Sequence, residues 1–235
     1  MLLSLLHWLG YGVCHQIPDR TIHLAGQALP LCARCSGIYL GVVLGFSAIA
    51  ILGRARSSIL PPVRVLAVLL VFAVLMGIDG LNSYVSFFPG LPHLYQPQNL
   101  LRLATGTLHG LAMSLIVLPV FNFTLWKESD TQPVLRGLRE LGVLVLAAGL
   151  VILLVGSGPD LLLYPVAIIE SLGLLAMFSL LNATIFLIVT RHEGRAVRWR
   201  DLALPLLAGL MMGLLEIAAL DMIRLWLTQL LGLPF

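Results

Sequence analysis

Six apolar segments, each long enough to cross a lipid bilayer as a helix, constrain this chain more than any other feature. A spanning α-helix needs about 20 apolar residues, and it satisfies its own backbone hydrogen bonds. Charged residues make up only 11% of the sequence, against roughly 25% in an average soluble domain. The sequence therefore predicts an all-α polytopic transmembrane helix bundle. The predicted spans are about 32–52, 62–80, 98–122, 138–156, 160–190 and 202–231.

A shorter apolar segment, residues 2–13, precedes the first span. It lacks the basic start and the small-residue cleavage site of a secretory signal peptide, so we expect a short or re-entrant helix there. The loop 123–136 is the most polar stretch between spans. It divides a single integral domain into two halves of three spans each, 1–122 and 123–235, of which the first carries all three cysteines.

Glycines recur at four-residue spacing in the first span, at Gly37, Gly41 and Gly45. A stripe of small residues lets the backbone of a neighbouring helix approach closely. We therefore expect the first span to pack tightly against another helix along this stripe.

The basic residues indicate how the bundle is oriented. Cytoplasmic loops of membrane proteins are enriched in Lys and Arg. Of the 14 basic residues, ten fall in three loops that six spans place on one side: Arg54, Arg56, Arg64, Lys127, Arg136, Arg139, Arg191, Arg195, Arg198 and Arg200. We therefore expect an integral protein of the cell membrane with these loops in the cytoplasm and an irregular loop, 14–31, on the extracytoplasmic side. The net charge of +3 does not indicate a nucleic-acid partner; the expected partner is the lipid bilayer.

All three cysteines lie near the start of the chain, together with two histidines. Three thiolates and one imidazole form the tetrahedral set that suits zinc in structural sites. We thus predict a metal site, with zinc as the expected ion and an iron–sulfur cluster as an alternative cofactor. The predicted ligands are Cys14, His15, Cys32 and Cys35, with His23 as an alternative fourth ligand.

The same thiols support a second interpretation, a thiol–disulfide oxidoreductase. A Cys-x-x-Cys pair at the start of a helix has lowered thiol pKa values, and Arg34 lies between Cys32 and Cys35. Such a pair can exchange disulfides with a partner protein or pass electrons to a quinone, with Cys14 as the resolving thiol. Haem attachment is not indicated, because it needs a histidine directly after the pair and Ser36 stands there.

Polar residues within the apolar spans form a further candidate site. Charges there are costly and generally face a cavity, a ligand or one another. Asp79, Asn99 and Arg102 fall at the predicted extracytoplasmic ends of their spans, on the same side as Arg34. We expect Asp79, Asn99, Arg102 and Arg34 to form an outer polar layer around the metal ligands or an anion-binding wall, since guanidinium groups match carboxylate and phosphate geometry. An Asp79–Arg102 ion pair is the structural alternative.

Glu170 in the fifth span and Glu216 in the sixth are carboxylates expected nearer mid-membrane. As a pair they could relay protons or bind a cation, and hydrogen-bonded structural carboxyl groups are the alternative. They support a third interpretation, a transporter or lipid-binding protein that uses Arg102, Glu170 and Glu216 and does not need the cysteines.

Two blocks of the sequence resemble a known family. The first, CHQIPDR (14–20) followed by LCARCSGIYLG (31–41), is similar to the signature of the Domain of Unknown Function 2085 family of predicted membrane proteins. The second, DG (79–80) with NLLRLATG (99–106), is similar to a later block of that family. Ser36 stands where threonine is more often expected. The resemblance implies a polytopic membrane protein whose polar residues gather at one membrane face, and it implies no particular activity.

These features together predict an integral membrane protein with a zinc-type site on its extracytoplasmic face, beside a polar cluster. The expected ligand is a lipid or another anionic substrate, or a quinone if the protein is an oxidoreductase. The sequence leaves open whether the protein is an enzyme, and it does not determine the oligomeric state.

Overall fold

The computed structural model describes residues 1–88 and 90–231. Its helices are α1 (Leu2–Tyr11), α2 (Ala33–Ile51), α3 (Val63–Val85), α4 (Asn99–Leu125), α5 (Leu138–Gly156), α6 (Leu163–Val189) and α7 (Ala203–Leu231). Its short strands are β1 (Thr21–Leu24), β2 (Gln27–Cys32), β3 (Ser57–Ile59) and β4 (Asp130–Pro133). Helices α2 to α7 are long and apolar enough to cross a membrane, whereas α1 is shorter. This confirms the predicted bundle of six spans with a short N-terminal apolar segment.

The end of α3 lies later than the sequence predicts. The expected span stops at 80, but the helix continues through Asp79 to Val85. The Asp79 side chain is 1% exposed and accepts hydrogen bonds from Arg34 and Tyr95. Because these two residues satisfy the carboxylate inside the bundle, the charge does not require the helix to end.

Helices α2 and α4 run parallel and pack through their glycines. Cβ atoms added at Gly37, Gly41 and Gly45 would each collide with α4, and one added at Gly110 would collide with the carbonyl of Ile38 on α2. This close packing agrees with the expectation from the glycine stripe. It also places the N-terminal ends of the two helices side by side.

The loop before α2 is more ordered than the sequence predicts, because β1 and β2 form an antiparallel hairpin there. The chain turns at Ala25 and Gly26, whose φ angles are +50° and +71°, as in the two-residue turns that favour tight hairpins. The buried leucines of the hairpin are Leu24, Leu29 and Leu31. They pack onto the helix ends, so the hairpin covers one end of the bundle and leads through Cys32 directly into α2.

The loops at the two ends of the bundle make separate sets of contacts. At the hairpin end, the backbone N–H of Ala25 donates to Oδ1 of Asp160 at 2.9 Å. At the opposite end, β3 pairs in parallel with β4, and a bridge joins Trp126 to Ala196. The guanidinium of Arg56 lies 4.0 Å from the ring centre of Trp126 at that end. The loops that carry most of the basic residues therefore lie together, away from the hairpin.

Candidate metal centre and polar cluster

The three cysteines converge from two segments of the chain. Cys14 follows α1, Cys32 is the last residue of β2, and Cys35 lies in the first turn of α2. Their Sγ atoms all lie within 4.8 Å of one another, and all three are free thiols. Cys14 is buried, whereas the other two are half-buried. We call these three residues the thiol cluster.

Backbone and amide hydrogen bonds hold the segment that carries Cys14. The backbone N–H of Cys32 donates to Sγ of Cys14 at 3.1 Å. The side chain of Gln16 donates to the carbonyl oxygens of His7 and Pro30, at 2.7 and 2.8 Å. These bonds tie α1, the Cys14 segment and β2 together, so the position of Cys14 is fixed relative to the hairpin.

Arg224 on α7 binds the same segment from the other side. Its guanidinium donates to the carbonyl oxygens of Tyr11, Cys14 and His15 and lies 4.1 Å from the ring centre of Tyr11. A cleft of about 740 Å³ opens here, with Cys14, His15 and Arg224 among its lining residues. Arg224 is not among the site residues predicted from the sequence. The available signal was an arginine inside an apolar helix, which needs polar partners, although spacing does not identify those partners.

The environment of the thiol cluster favours one thiolate. The thiols of Cys14 and Cys35 donate hydrogen bonds to Cys32, which lowers the pKa of Cys32. The pKa of Cys14 is raised, chiefly by its hydrogen bond to Cys32. Cys32 is also the N-cap of α2, where the helix dipole and free N–H groups stabilise a negative charge. A thiol with a lowered pKa is thus held at the helix start.

Neither predicted histidine ligand joins the thiol cluster among the residues described. His15 and His23 are both exposed, and no ring nitrogen is part of the group that the three Sγ atoms form. The backbone carbonyl of His15 is bound by Arg224 at 2.9 Å. The identity of the fourth ligand therefore stays a prediction.

The polar residues predicted at the same ends of the spans also come together, around Ser83 on α3. Arg34 forms an ion pair with Asp79 and donates to Oγ of Ser83 at 3.1 Å. Arg102 donates through Nε to Oγ of Ser83 at 3.4 Å and through Nη1 to Oδ1 of Asn99 at 2.7 Å. The carboxylate of Asp79 is thus paired with Arg34, and the alternative of an Asp79–Arg102 ion pair is wrong, since the described residues form no such salt bridge. Arg34, in the first turn of α2, reaches both Asp79 and Ser83 on α3, so it takes the position that the alternative gave to Arg102.

Further residues that the sequence did not indicate complete this polar cluster, which we define as Arg20, Arg34, Asp79, Ser83, Tyr95, Asn99 and Arg102. Tyr95 donates its hydroxyl to Oδ1 of Asp79 at 2.9 Å. Arg20 donates to the carbonyl oxygen of Ser83 at 2.9 Å. Asn99 donates to the carbonyl oxygens of Asp19 and Thr21, at 3.2 and 3.3 Å. The polar cluster is therefore joined to the hairpin that also leads to the thiol cluster.

The two predicted intramembrane carboxylates have different partners. Glu170 on α6 is fully buried and accepts a hydrogen bond from the backbone N–H of Leu31 at 3.2 Å, next to Cys32. Glu216 on α7 accepts a hydrogen bond from Nδ2 of Asn182 at 3.0 Å. Glu170 thus supports the hairpin, whereas Glu216 links α6 to α7.

Fold and site together define the class of protein: a polytopic α-helical membrane protein with the thiol cluster and the polar cluster at one end of its bundle. The chain belongs to the family described as Predicted membrane protein (DUF2085), whose model matches residues 14–116. This confirms the resemblance seen in the two sequence blocks. The matched segment contains every member of the thiol and polar clusters, whereas Arg224 and Glu170 lie beyond it.

Two archaeal relatives support this assignment. An uncharacterized protein of Methanocaldococcus jannaschii is 28% identical over 116 residues, which cover 49% of this chain and 68% of that protein. An uncharacterized protein of Methanothermobacter thermautotrophicus is 30% identical over 104 residues, which cover 44% of this chain and 83% of that protein. No solved structure matches the chain.

Proposed function

We propose that the thiol cluster is a zinc-type metal centre at the membrane surface. The observation that carries this proposal is the approach of three free Sγ atoms to within 4.8 Å of one another. Sulfur atoms that share one tetrahedral zinc, with Zn–S bonds of about 2.3 Å, lie about 3.8 Å apart. Small side-chain adjustments would therefore bring Cys14, Cys32 and Cys35 to zinc distance.

Three thiolates leave a fourth coordination position for His15, for His23 or for an external ligand. Zinc sites with three protein ligands and an exchangeable fourth are typical of catalysis, because the metal can activate water or polarise a substrate oxygen. The cleft beside Cys14 and His15 offers a route to the edge of the cluster. A lipid or another anionic substrate suits this position, since the arginines of the polar cluster lie beside the same hairpin.

The orientation proposed for this centre is extracytoplasmic. It is supported by the charge distribution, because basic loops are enriched on the cytoplasmic side of membrane proteins. The basic loops are joined to one another at the bundle end opposite the hairpin, through β3–β4 and the Trp126–Ala196 bridge. Cysteine labelling with a membrane-impermeant maleimide, in intact and permeabilised cells, tests this orientation.

A thiol–disulfide oxidoreductase is the second candidate function. It is favoured by the position of Cys32 and Cys35 at the start of α2, with a third free thiol in reach. In that function Cys32 and Cys35 cycle between dithiol and disulfide, and the two electrons pass to a quinone or to the disulfide of a partner protein.

Metal content of the detergent-purified full chain separates the two functions. We expect about one zinc ion per chain in the wild type and its loss in Cys32→Ser. The metal-free forms of the two proteins should unfold at the same thermal midpoint. His15→Ala tests the fourth ligand, with the exposed His192→Ala as its matched control. Absence of metal, combined with thiols that disappear on oxidation and return on reduction, would overturn the zinc proposal in favour of the oxidoreductase.

A further inference from the structure

We propose that Arg20, Arg34 and Arg102 form a binding site for a phosphate group. This site lies in the polar cluster and goes beyond the metal centre, because none of its three arginines is a metal ligand. Its chemistry is that of an oxyanion held by several guanidinium groups, each of which can donate two parallel hydrogen bonds to phosphate oxygens.

The three guanidinium groups converge on one serine. Nη2 of Arg20 lies 2.9 Å from the carbonyl oxygen of Ser83, and Nη2 of Arg34 lies 3.1 Å from its Oγ. Nε of Arg102 lies 3.4 Å from the same Oγ. Three positive charges therefore surround one residue that is itself neutral.

The negative charge around Ser83 is too small to balance these arginines. Among the described residues, Asp79 is the carboxylate that pairs with them, and it pairs with Arg34 alone. The three guanidinium groups carry three positive charges and Asp79 carries one negative charge, so two positive charges have no carboxylate partner among the described residues.

In the described part of the chain, one buried arginine lacks a carboxylate partner and one buried N–H group lacks an acceptor. Arg102 is only 5% exposed, yet its hydrogen-bond acceptors are the neutral oxygens of Ser83 and Asn99, and no carboxylate forms a salt bridge with it. Nε of Arg34 is buried and has no hydrogen-bond partner. A charged group removed from water is costly unless a counterion accompanies it, and an anion beside these donors would supply one.

Access to the site runs past Arg20, which is half-buried in the segment before the hairpin. Burial and the positive charges of Arg102 and Arg34 lower the pKa of Arg20, consistent with a site that is rich in positive charge. The exposed aromatic residues Tyr84, Phe87 and Phe88 lie at the end of α3 beside it. Tyrosine side chains such as Tyr84 are enriched at the level of lipid head groups, and Arg20 is partly open to solvent, so a phosphate can reach the site from a lipid or from solution.

Binding of inorganic phosphate to the detergent-purified full chain tests the site, by calorimetric titration against sodium chloride of equal ionic strength. A parallel arm reconstitutes the protein in phosphatidylcholine nanodiscs with and without phosphatidic acid and measures retained lipid by native mass spectrometry. The variants are Arg20→Gln and Arg102→Gln. Arg64→Gln, an exposed arginine at the opposite end of α3, is the matched control.

We expect saturable binding of at least one phosphate probe, weakened about tenfold or more by Arg20→Gln, since a hydrogen bond to a charged group contributes about 1.5–3 kcal/mol. Arg64→Gln should bind like the wild type. Binding of inorganic phosphate assigns a free phosphate ligand, whereas retention of phosphatidic acid alone assigns a lipid head group. Absence of both, or equal binding by wild type and Arg20→Gln, would overturn the proposal even if Arg102→Gln fails to fold.

Discussion

Arg34 and Asp79 form an ion pair that joins the first turn of α2 to the last turns of α3. The carboxylate of Asp79 is almost fully buried, and Tyr95 binds its second oxygen. Because three arginines lie around this one carboxylate, its loss would leave positive charges facing one another in a poorly hydrated site. The ion pair therefore stabilises the arrangement of the first three spans.

Asp79→Asn should reduce the free energy of unfolding by about 3 kcal/mol, because removal of one partner leaves the other charge buried and unpaired. Thermal unfolding in detergent measures the change. Asp19→Asn, an exposed aspartate close by, should have little effect. Equal midpoints for Asp79→Asn and the wild type would contradict a stabilising role for this pair.

Gly41→Ala should destabilise the bundle by about 1–3 kcal/mol, the usual range for an extra methyl group in a tightly packed interior. The added Cβ would collide with the backbone of Thr107 on α4. Gly77→Ala is the matched control, since a Cβ at this helical glycine meets no atom within 4 Å. A fall in thermal midpoint for Gly77→Ala equal to that for Gly41→Ala would argue against backbone packing as the cause.

Arg224→Gln should weaken zinc binding about tenfold, the lower range for residues that orient metal ligands. The substitution removes most of the donors that hold the segment of Tyr11, Cys14 and His15. Competition with a zinc chelator measures the affinity, and Arg191→Gln, an exposed arginine in a distant loop, is the control. This prediction depends on the proposed metal centre. Unchanged zinc affinity in Arg224→Gln would show that Cys14 is positioned without it.

Tyr95 should titrate later than an ordinary tyrosine. Burial and the hydrogen bond to Asp79 raise the pKa of its phenol, above the usual value of about 10. The folded pKa is raised, so the stabilisation is fully present below about pH 10 and is lost as the pH rises through the folded pKa. Tyrosinate absorbance should show a late component that Tyr95→Phe removes. If the exposed Tyr84→Phe removes it instead, the assignment is wrong.

The spans could be predicted from sequence because length and hydropathy alone select helices that cross a bilayer. The partner of Asp79 could not be predicted from the sequence. Helical periodicity shows which residues of one helix share a face, but it does not give the rotation of one helix against the next. Arg34 is therefore expected among the polar residues at this end of the bundle, but its pairing with Asp79 in place of Arg102 follows only from the fold.

The hairpin and its contacts also could not be predicted from the sequence. Its strands are only four and six residues long, and Gly26 and Pro30 are typical of irregular loops. Tyr95 carries no spacing signal, since it lies in a connection without regular structure. Convergence of the three cysteines was expected from their proximity in sequence. The contact with Arg224 was not, because it depends on how α7 packs in the folded bundle.

Cys14 and Cys32 stand on either side of the β1–β2 hairpin, so one ion bound to both would close that part of the chain into a ring. Closing a ring of roughly 20 residues removes conformational entropy that is equivalent to about 3 kcal/mol. Local opening of the hairpin would then depend on metal supply, and chelation should speed amide hydrogen exchange in β1 and β2 while the span interiors stay protected. Because Asn99 of the polar cluster binds the carbonyl oxygen of Thr21 at the start of the hairpin, opening of the hairpin would also remove one contact of that cluster.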